Sequence, residues 1–361
     1  MNRSDITLTR LRARAVNAPL QIPIQTAVGT VASAPLVLID VETSAGITGH
    51  AWLFSYTPLC LKPLQEMVKS LSGMIEGKTL APAALAQQID EAFLLVGHTG
   101  LLRMATAGID MALWDALAKS VQLPLYRLLG GTKRSLKAYD SHSMDGIELA
   151  AERAQRSVAD GFSALKTKIG YPTLEQDLAV IRAIKTATQD KIRVMVDYNQ
   201  SLNVPEGIRR SLALEKEGVV WIEEPTRQYD YVGHAHITSS TTLPIQMGEN
   251  WLGTDEMSKC LDANACDLGM ADIMKIGGVT GWQKASAIAE SKNIPLSSHL
   301  FQEFSAHVLS VSPTADWLER MDIASTILDS SLSFEKGQAV VSDEPGVGFN
   351  WKESEIEKYA V

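Results

Sequence analysis

The segment IRVMVDYN, residues 192–199, is a short β-rich apolar run that leads to a carboxylate, Asp197, and the same device recurs down the second half of the chain. VVWIEEP (219–225) leads to Glu223, LPIQMGEN (243–250) to Glu249, IPLSSHL (294–300) to His299 and DWLER (316–320) to Glu319, while DIMKIGG (272–278) carries Asp272. Consecutive members of this series stand 20 to 27 residues apart. A strand, a loop, a helix and a return loop take about that much chain in a repeated βα fold. KAYDSHS (137–143) and ALKTKIG (164–170) add two strands upstream, making eight. Stretches such as LEQDLAVIRAIKTAT (174–188) and GWQKASAIAESK (281–292) show helical periodicity between them. Eight strands alternating with helices predict a parallel sheet closed into a (β/α) barrel of TIM type. Side chains at successive strand ends then converge on one mouth, where such barrels place their chemistry.

Outside the barrel the pattern changes. Residues 6–56 are β-rich, with Leu36–Thr43 and Ile47–Phe54 flanking the hairpin signal Ser44-Ala45-Gly46. A stretch of small residues near 21–33, with Gly29, predicts a mobile flap over a site. Helical patterns follow at about 58–75, 81–95 and 100–120, and LPLYRLLGG (123–131) closes the segment on a glycine stop. Beyond Ile323 the alternation ends. The expected organisation is therefore an α+β capping domain over 1–132, the barrel over 133–322, and a C-terminal segment over 323–361 that packs back on the cap.

At 361 residues the chain can bury a full core. Its 21% charged and 45% apolar residues are an ordinary balance for a soluble enzyme. A net charge of −9 without basic clusters argues against nucleic acid and anionic membrane surfaces as partners. MNRSDITLTRLRARAV has no apolar stretch of the kind a secretory signal needs. The most apolar long run, GLLRMATAGIDMALWDALAKS (100–120), is broken by Arg103, Asp110 and Asp115 and reads as a globular helix. Cys60, Cys260 and Cys266 are odd in number and lack CxxC spacing, as expected of reduced, buried thiols in the cytoplasm.

Asp197, Glu223 and Glu249 come from three consecutive strands and offer only hard oxygen donors, a set that suits Mg²⁺ and not Zn²⁺. Glu223 and Glu224 point to opposite faces of a strand, so only one of them reaches a metal; residue pattern alone leaves open which. Lys166 and Lys168 share one face by the two-residue strand period. Two buried ammonium groups disfavour one another, which predicts a pKa drawn down towards neutrality. A base working near pH 7–8 needs a drop on the order of 4 kcal/mol from the usual lysine value. Asp272 and His299 on adjacent strands predict a dyad in which the carboxylate holds the ring and raises its basicity. Glu319 reads either as a protonated general acid or as a rim charge. Gly277-Gly278 reads as a plain βα turn rather than a phosphate cradle, and the other histidines form no constellation.

Taken together, TAVGTV (26–31), AGIDMALWDAL (107–117), YDSHS, KTKIGYP, VMVDYNQSL, WIEEPT, MGENW, MKIGGVTGW, SSHLFQE and WLER resemble the enolase superfamily in its mandelate racemase branch, over essentially the whole chain. In the muconate-lactonising and dipeptide-epimerase relatives a catalytic lysine stands five residues before the Gly-Gly pair; here that position is Asp272, which favours the racemase branch. The resemblance implies that Asp197, Glu223 and Glu249 bind Mg²⁺, with Glu224 outside the ligand set. It implies Lys168 as the base for one enantiomer and His299, oriented by Asp272, for the other. Lys166 and Glu319 would hold the substrate carboxylate, with Asn199 and the Ser141 region adding hydrogen bonds. The side-chain pocket would draw on Ile24, Thr26, Val28, Val31, Tyr56, Leu95, Leu300 and Met321, mostly apolar, with Ile24 in place of the family's valine and Met321 in place of its leucine. A homo-octamer is also implied.

The expected reaction is racemisation of mandelate or a similar aryl or unsaturated 2-hydroxy carboxylate by two-base proton transfer. Removing a proton alpha to a carboxylate gives an enediolate, so most of the required stabilisation must be electrostatic. The alternative is dehydration of an acid sugar, the same proton abstraction followed by loss of the 3-hydroxyl with His299 as acid; the apolar flap and pocket argue against it. A catalytically inert paralogue is disfavoured because no base or ligand of the set is missing.

Overall fold

The computed structural model describes residues 5–361. Strands β1 (Leu8–Thr26), β2 (Gly29–Thr43) and β3 (Thr48–Phe54) form an antiparallel sheet in that order. The first hairpin is longer than its sequence suggests. β1 and β2 run on to Thr26 and Gly29, where the Thr26 hydroxyl accepts the Val28 and Gly29 N–H groups at 3.1 Å and closes the tip. The arm lies against the barrel: Gln25 N donates to the Ser143 hydroxyl at 3.0 Å, and Met144 N donates to Gln25 O at 3.0 Å.

Helix Gly100–Ser120 is buried around most of its circumference, as an all-round apolar helix must be. It lies between β2–β3 and the barrel helix Gly278–Ser291. Gly49 on β3 makes the approach possible, because a Cβ there would come within 2.0 Å of Ala112 O. A larger side chain at Gly49 would force the helix off the sheet.

The barrel strands are β4 (Ser135–Ser141), β5 (Ala164–Lys168), β6 (Arg193–Asp197), β7 (Ile222–Glu223), β8 (Ile245–Met247), β9 (Leu268–Asp272), β10 (Leu296–His299) and β11 (Leu318–Arg320). They pair in parallel in sequence order from β4 to β10. β11 pairs with β4, and Ser298 N donates to Trp317 O at 3.0 Å, so the ring closes between β10 and β11. Seven of the eight strands thus fall on the expected segments, and the eighth, expected over DIMKIGG, lies upstream of it. The strand that carries Asp272 is LGMAD, and Ile273–Ile276 is a helical turn. Asp272 itself causes this, since its Oδ1 accepts the N–H groups of Met274 at 2.8 Å and Lys275 at 3.1 Å and caps the turn.

After β11, β12 (Ser333–Glu335) and β13 (Gln338–Val340) form a hairpin on the start of β4. The chain then returns to the cap. Trp351 Nε1 donates to Asp40 at 2.6 Å, Arg14 pairs with Glu353 at 2.5 Å, and Val347 N donates to Asp115 at 2.8 Å.

The barrel interior has its own floor. Tyr139, Ala164, Met195, Trp221, Met270 and Trp317 pack on one another as a cluster separate from the main core. The rings of Tyr139, Trp221 and Trp317 meet edge to face with centroids 5.6 to 6.4 Å apart. Such aromatic contacts add about 0.5–1.5 kcal/mol each beyond their burial.

Candidate active site

The strand period of two turns that floor into a site. Ser141, Lys166, Asp197, Glu223, Asp272 and Glu319 each stand two residues beyond Tyr139, Ala164, Met195, Trp221, Met270 and Trp317, one layer nearer the strand ends. Parallel register places Lys168 opposite Asp197, Asp197 opposite Glu223, and His299 opposite Asp272. Glu249 follows β8 after Gly248 and joins them at the mouth.

Ligand atoms of Asp197, Glu223 and Glu249 all lie within 4.8 Å of one another, and all three residues are buried. Lys166 Nζ lies 2.8 Å from both carboxylate oxygens of Glu223 and 2.9 Å from Glu319. Lys168 Nζ lies 2.5 Å from Asp197. His299 Nδ1 is 2.7 Å from Asp272 and its Nε2 is 3.3 Å from Glu249. Asp272 therefore divides its oxygens, one for the helical turn and one for the ring. Glu319 accepts the Leu300 N–H at 2.9 Å. Glu224, just past the end of β7 and with φ +36, accepts from Asn250 Nδ2 at 2.8 Å and lies outside the trio.

The electrostatics corrects two expectations. Burial pulls the Lys168 ammonium down, but Asp197 and the other carboxylates more than offset burial and the Lys166 charge, so its pKa lies above the ordinary lysine value. Lys166, buried between Glu223 and Glu319, is raised still further. Mutual repulsion of the lysines is thus outweighed by their carboxylate neighbours. Glu319 is neither a rim charge nor a protonated acid here. It is buried, and although burial pushes it up, Lys166 and His299 pull it down to about 2. Burial lowers His299, while Glu249 and the bond to Asp272 raise it to a net value above the usual imidazole.

The carboxylates outnumber the cations. Asp197, Glu223, Glu224, Glu249, Asp272 and Glu319 are buried beside only three buried ammonium groups, Lys166, Lys168 and Lys275. Burial and the adjacent carboxylates push Glu223 and Glu224 well above the ordinary range. An oxygen-only trio inside a surplus of buried negative charge fits a divalent hard cation.

Above this layer lies a cavity of about 660 Å³. Lys168, Asn199, Glu249 and His299 form its floor; Ile24, Val28, Val31, Tyr56, Leu300 and Met321 contribute mostly apolar wall. Thr26 also lines it. Tyr56 OH and Asn199 Oδ1, which line this cavity, are buried polar atoms without hydrogen-bond partners and are open to a ligand. Ser141 Oγ is unpartnered too, but Ser141 lines a neighbouring cavity beside Asp140 and Arg320 instead. Leu95, expected in the pocket, instead projects from the cap fully exposed and does not line it. Cys60 is half-buried at the cavity wall rather than buried, while Cys260 and Cys266 are buried with Sγ atoms 3.7 Å apart.

Sequence reading missed Lys275. Its ammonium is buried 4.4 Å from the Tyr56 ring centroid and donates to Asn250 Oδ1 at 2.7 Å. A lysine next to a Gly-Gly turn reads as a surface residue, and the helical turn capped by Asp272 is what aims it inward.

Residues 8–130 match the mandelate racemase / muconate lactonizing enzyme N-terminal domain, and residues 149–355 match the enolase C-terminal domain-like family. The chain belongs to the enolase superfamily. Among solved members, an enolase from Bradyrhizobium complexed with magnesium and mandelic acid is 41% identical, with a TM-score of 0.95 over 99% of both chains. A racemase from Streptomyces coelicolor with bound magnesium is 26% identical, with a TM-score of 0.92 over 98% of this chain and all (100%) of its own. The L-talarate/galactarate dehydratase of Salmonella typhimurium is 30% identical over 72% of this chain and 66% of its own length. The arabinonate dehydratase of Saccharolobus solfataricus is 28% identical over 90% of each chain. Superfamily sites work with Mg²⁺ and a lysine or histidine base, and no helix among the described residues is long and apolar enough to cross a membrane.

Proposed function

We propose that the protein is a Mg²⁺-dependent racemase, an isomerase that interconverts the enantiomers of mandelate or a similar aryl or unsaturated 2-hydroxy acid by two-base proton transfer. The observation that carries this reading is the placement of Lys168 and His299. Both line one mostly apolar cavity, on strands that flank the carboxylate trio from either side, β5 before it and β10 after it. A planar intermediate held between them can lose or regain its proton on either face. The solved relative that carries magnesium and mandelic acid supports the same substrate class.

Asp197, Glu223 and Glu249 would hold Mg²⁺, which when bound supplies positive charge beside the oxygens where the enediolate develops. Lys166 orients the substrate carboxylate. Glu319, beside Lys166 and facing that carboxylate, is driven towards its protonated form as the second anion arrives, and can then donate a hydrogen bond. Asp272 holds the His299 ring by Nδ1, which leaves Nε2 for proton transfer. Tyr56 OH can donate a hydrogen bond to the substrate, and Asn199 Oδ1 can accept one from its hydroxyl. A positioned base contributes about 3–5 kcal/mol of a total of roughly 8–23 kcal/mol, so charge stabilisation carries the larger share.

A second reading is acid-sugar dehydration. The dehydratases among the relatives and the polar cavity residues Lys275, Asn250 and Gln228 support it. Proton NMR and polarimetry of (R)- and (S)-mandelate in D₂O with Mg²⁺ separate the two. Loss of rotation and α-deuterium uptake from both enantiomers, stopped by EDTA, is expected. No exchange from either would reject mandelate and turn attention to acid sugars. The acidic substrate, reduced thiols and exposed Leu94, Leu95 and Val96 on the cap support a cytoplasmic homo-oligomer, an octamer by resemblance, which light scattering would test.

A further inference from the structure

Two motifs of the sequence, AGIDMALWDAL and KIGGVTGW, contribute nothing from Asp110 or Thr280 to the site described above, yet they meet in the interior. Asp110 is buried on helix Gly100–Ser120 of the cap. Its Oδ2 accepts the Thr280 N–H at 2.9 Å and its Oδ1 accepts the Thr280 hydroxyl at 2.5 Å. That hydroxyl in turn accepts from Trp114 Nε1 at 2.9 Å, one helical turn on from Asp110. Helix Gly278–Ser291 has Gly277 at its N-cap and no side-chain cap of its own. Asp110 thus caps a barrel helix from another domain. The fit is close: Gly278 has φ +73, and a Cβ there would lie 2.4 Å from the Asp110 carboxylate.

This capped end begins directly after the turn Ile273–Ile276, whose own cap is Asp272. Asp272 holds His299 Nδ1 at 2.7 Å with its other oxygen. Lys168 stands on β5, with its ammonium on Asp197, and has no part in this chain of contacts. We propose that Asp110 is a positioning residue for one face of the reaction: by clamping the start of helix Gly278–Ser291, it fixes the Asp272 turn and thereby the orientation of the His299 ring.

This inference rests on the two-base reading for its kinetic test and on geometry alone for a second test. In D₂O, His299→Asn identifies the enantiomer that His299 deprotonates. In Asp110→Asn, α-proton exchange from that enantiomer is expected to fall about tenfold, while exchange through Lys168 stays within about twofold. Thr280→Val, which removes the hydroxyl link without touching a charge, should show the same asymmetry more weakly. Equal loss from both enantiomers, or no change in either variant, would overturn the proposal. Nitrogen-15 histidine NMR reads the link without substrate. The Nδ1–H resonance of His299, assigned by its absence in His299→Asn, should move and exchange faster with water in Asp110→Asn; an unchanged resonance would also overturn it. If the wild-type protein exchanges neither mandelate enantiomer, the racemase reading fails and the resonance alone decides the positioning role.

Discussion

His299 and Lys168 occupy separate strands with separate carboxylate partners, so single substitutions should split the proposed reaction in half. His299→Asn is expected to lower α-proton exchange from one mandelate enantiomer by about 10²–10⁴ and leave the other measurable; Lys168→Met should do the converse. Equal loss of both in either variant would mean that the residue binds rather than transfers a proton. Glu249→Gln keeps the shape of the trio but removes one charge, and calorimetry should show Mg²⁺ affinity down by at least about tenfold. At this scale Asp197, Glu223, Glu249 and His299 were legible because each ends or follows a β-rich run, Lys166 and Lys168 because they share one strand face, and Asp272 because it keeps the spacing of the series. Their protonation was not. Two lysines on one face predict repulsion, but Glu223, Glu319 and Asp197 come from strands far along the chain and reverse the sign.

Helix Gly100–Ser120 binds three parts of the chain through two aspartates. Asp110 caps the barrel helix, and Asp115 accepts the N–H groups of His50 on β3 and Val347 in the C-terminal segment, both at 2.8 Å, while pairing with Lys119 at 2.6 Å. Asp115→Ala would strand those donors and the ammonium, with an expected loss of about 3 kcal/mol in urea unfolding. A loss below about 1 kcal/mol would show that water replaces the carboxylate. The helix itself was readable from its apolar length, but both aspartates read as interruptions of a hydrophobic run rather than as interdomain caps. The tip of the capping domain's long hairpin was read as a flap rather than as paired strands for a related reason. Small residues near its tip carry little strand propensity, and what holds them extended is pairing across the arm and the Gln25 bonds to the barrel.

For the whole molecule, Mg²⁺ should stabilise the fold by mass action, by about 2.7 kcal/mol at a hundredfold excess over its Kd, with EDTA reversing the rise in Tm. An unchanged Tm would argue that the trio binds no metal. The histidines far from the site set a pH dependence. Burial holds His307 neutral down to about 4, with Nδ1 accepting the Tyr126 N–H at 3.1 Å and Nε2 facing Val347 O at 3.2 Å. The unfolded chain protonates it near 6.5, so between those values the unfolded state binds more protons and stability falls as pH falls. Buried His234, also held near 4, acts in the same direction, whereas Asp110 and Glu303, pushed up to about 7 by burial, act in the opposite one. The stability gap between wild type and His307→Gln should therefore narrow by about 2 kcal/mol from pH 7.5 to 5 in urea titrations. A gap that stays constant would mean that His307 takes up its proton in the fold as readily as in the unfolded chain. The sequence by itself determined the barrel, its strand count and the acids and bases at its mouth, because strand period and βα repeat length are local properties of the chain. Only the tertiary structure decided which charges survive burial, that Lys275 turns inward, that Leu95 leaves the pocket, and that Asp110 reaches across to Thr280. Those outcomes depend on sums of charge and packing over residues that meet only after the ring of strands has closed.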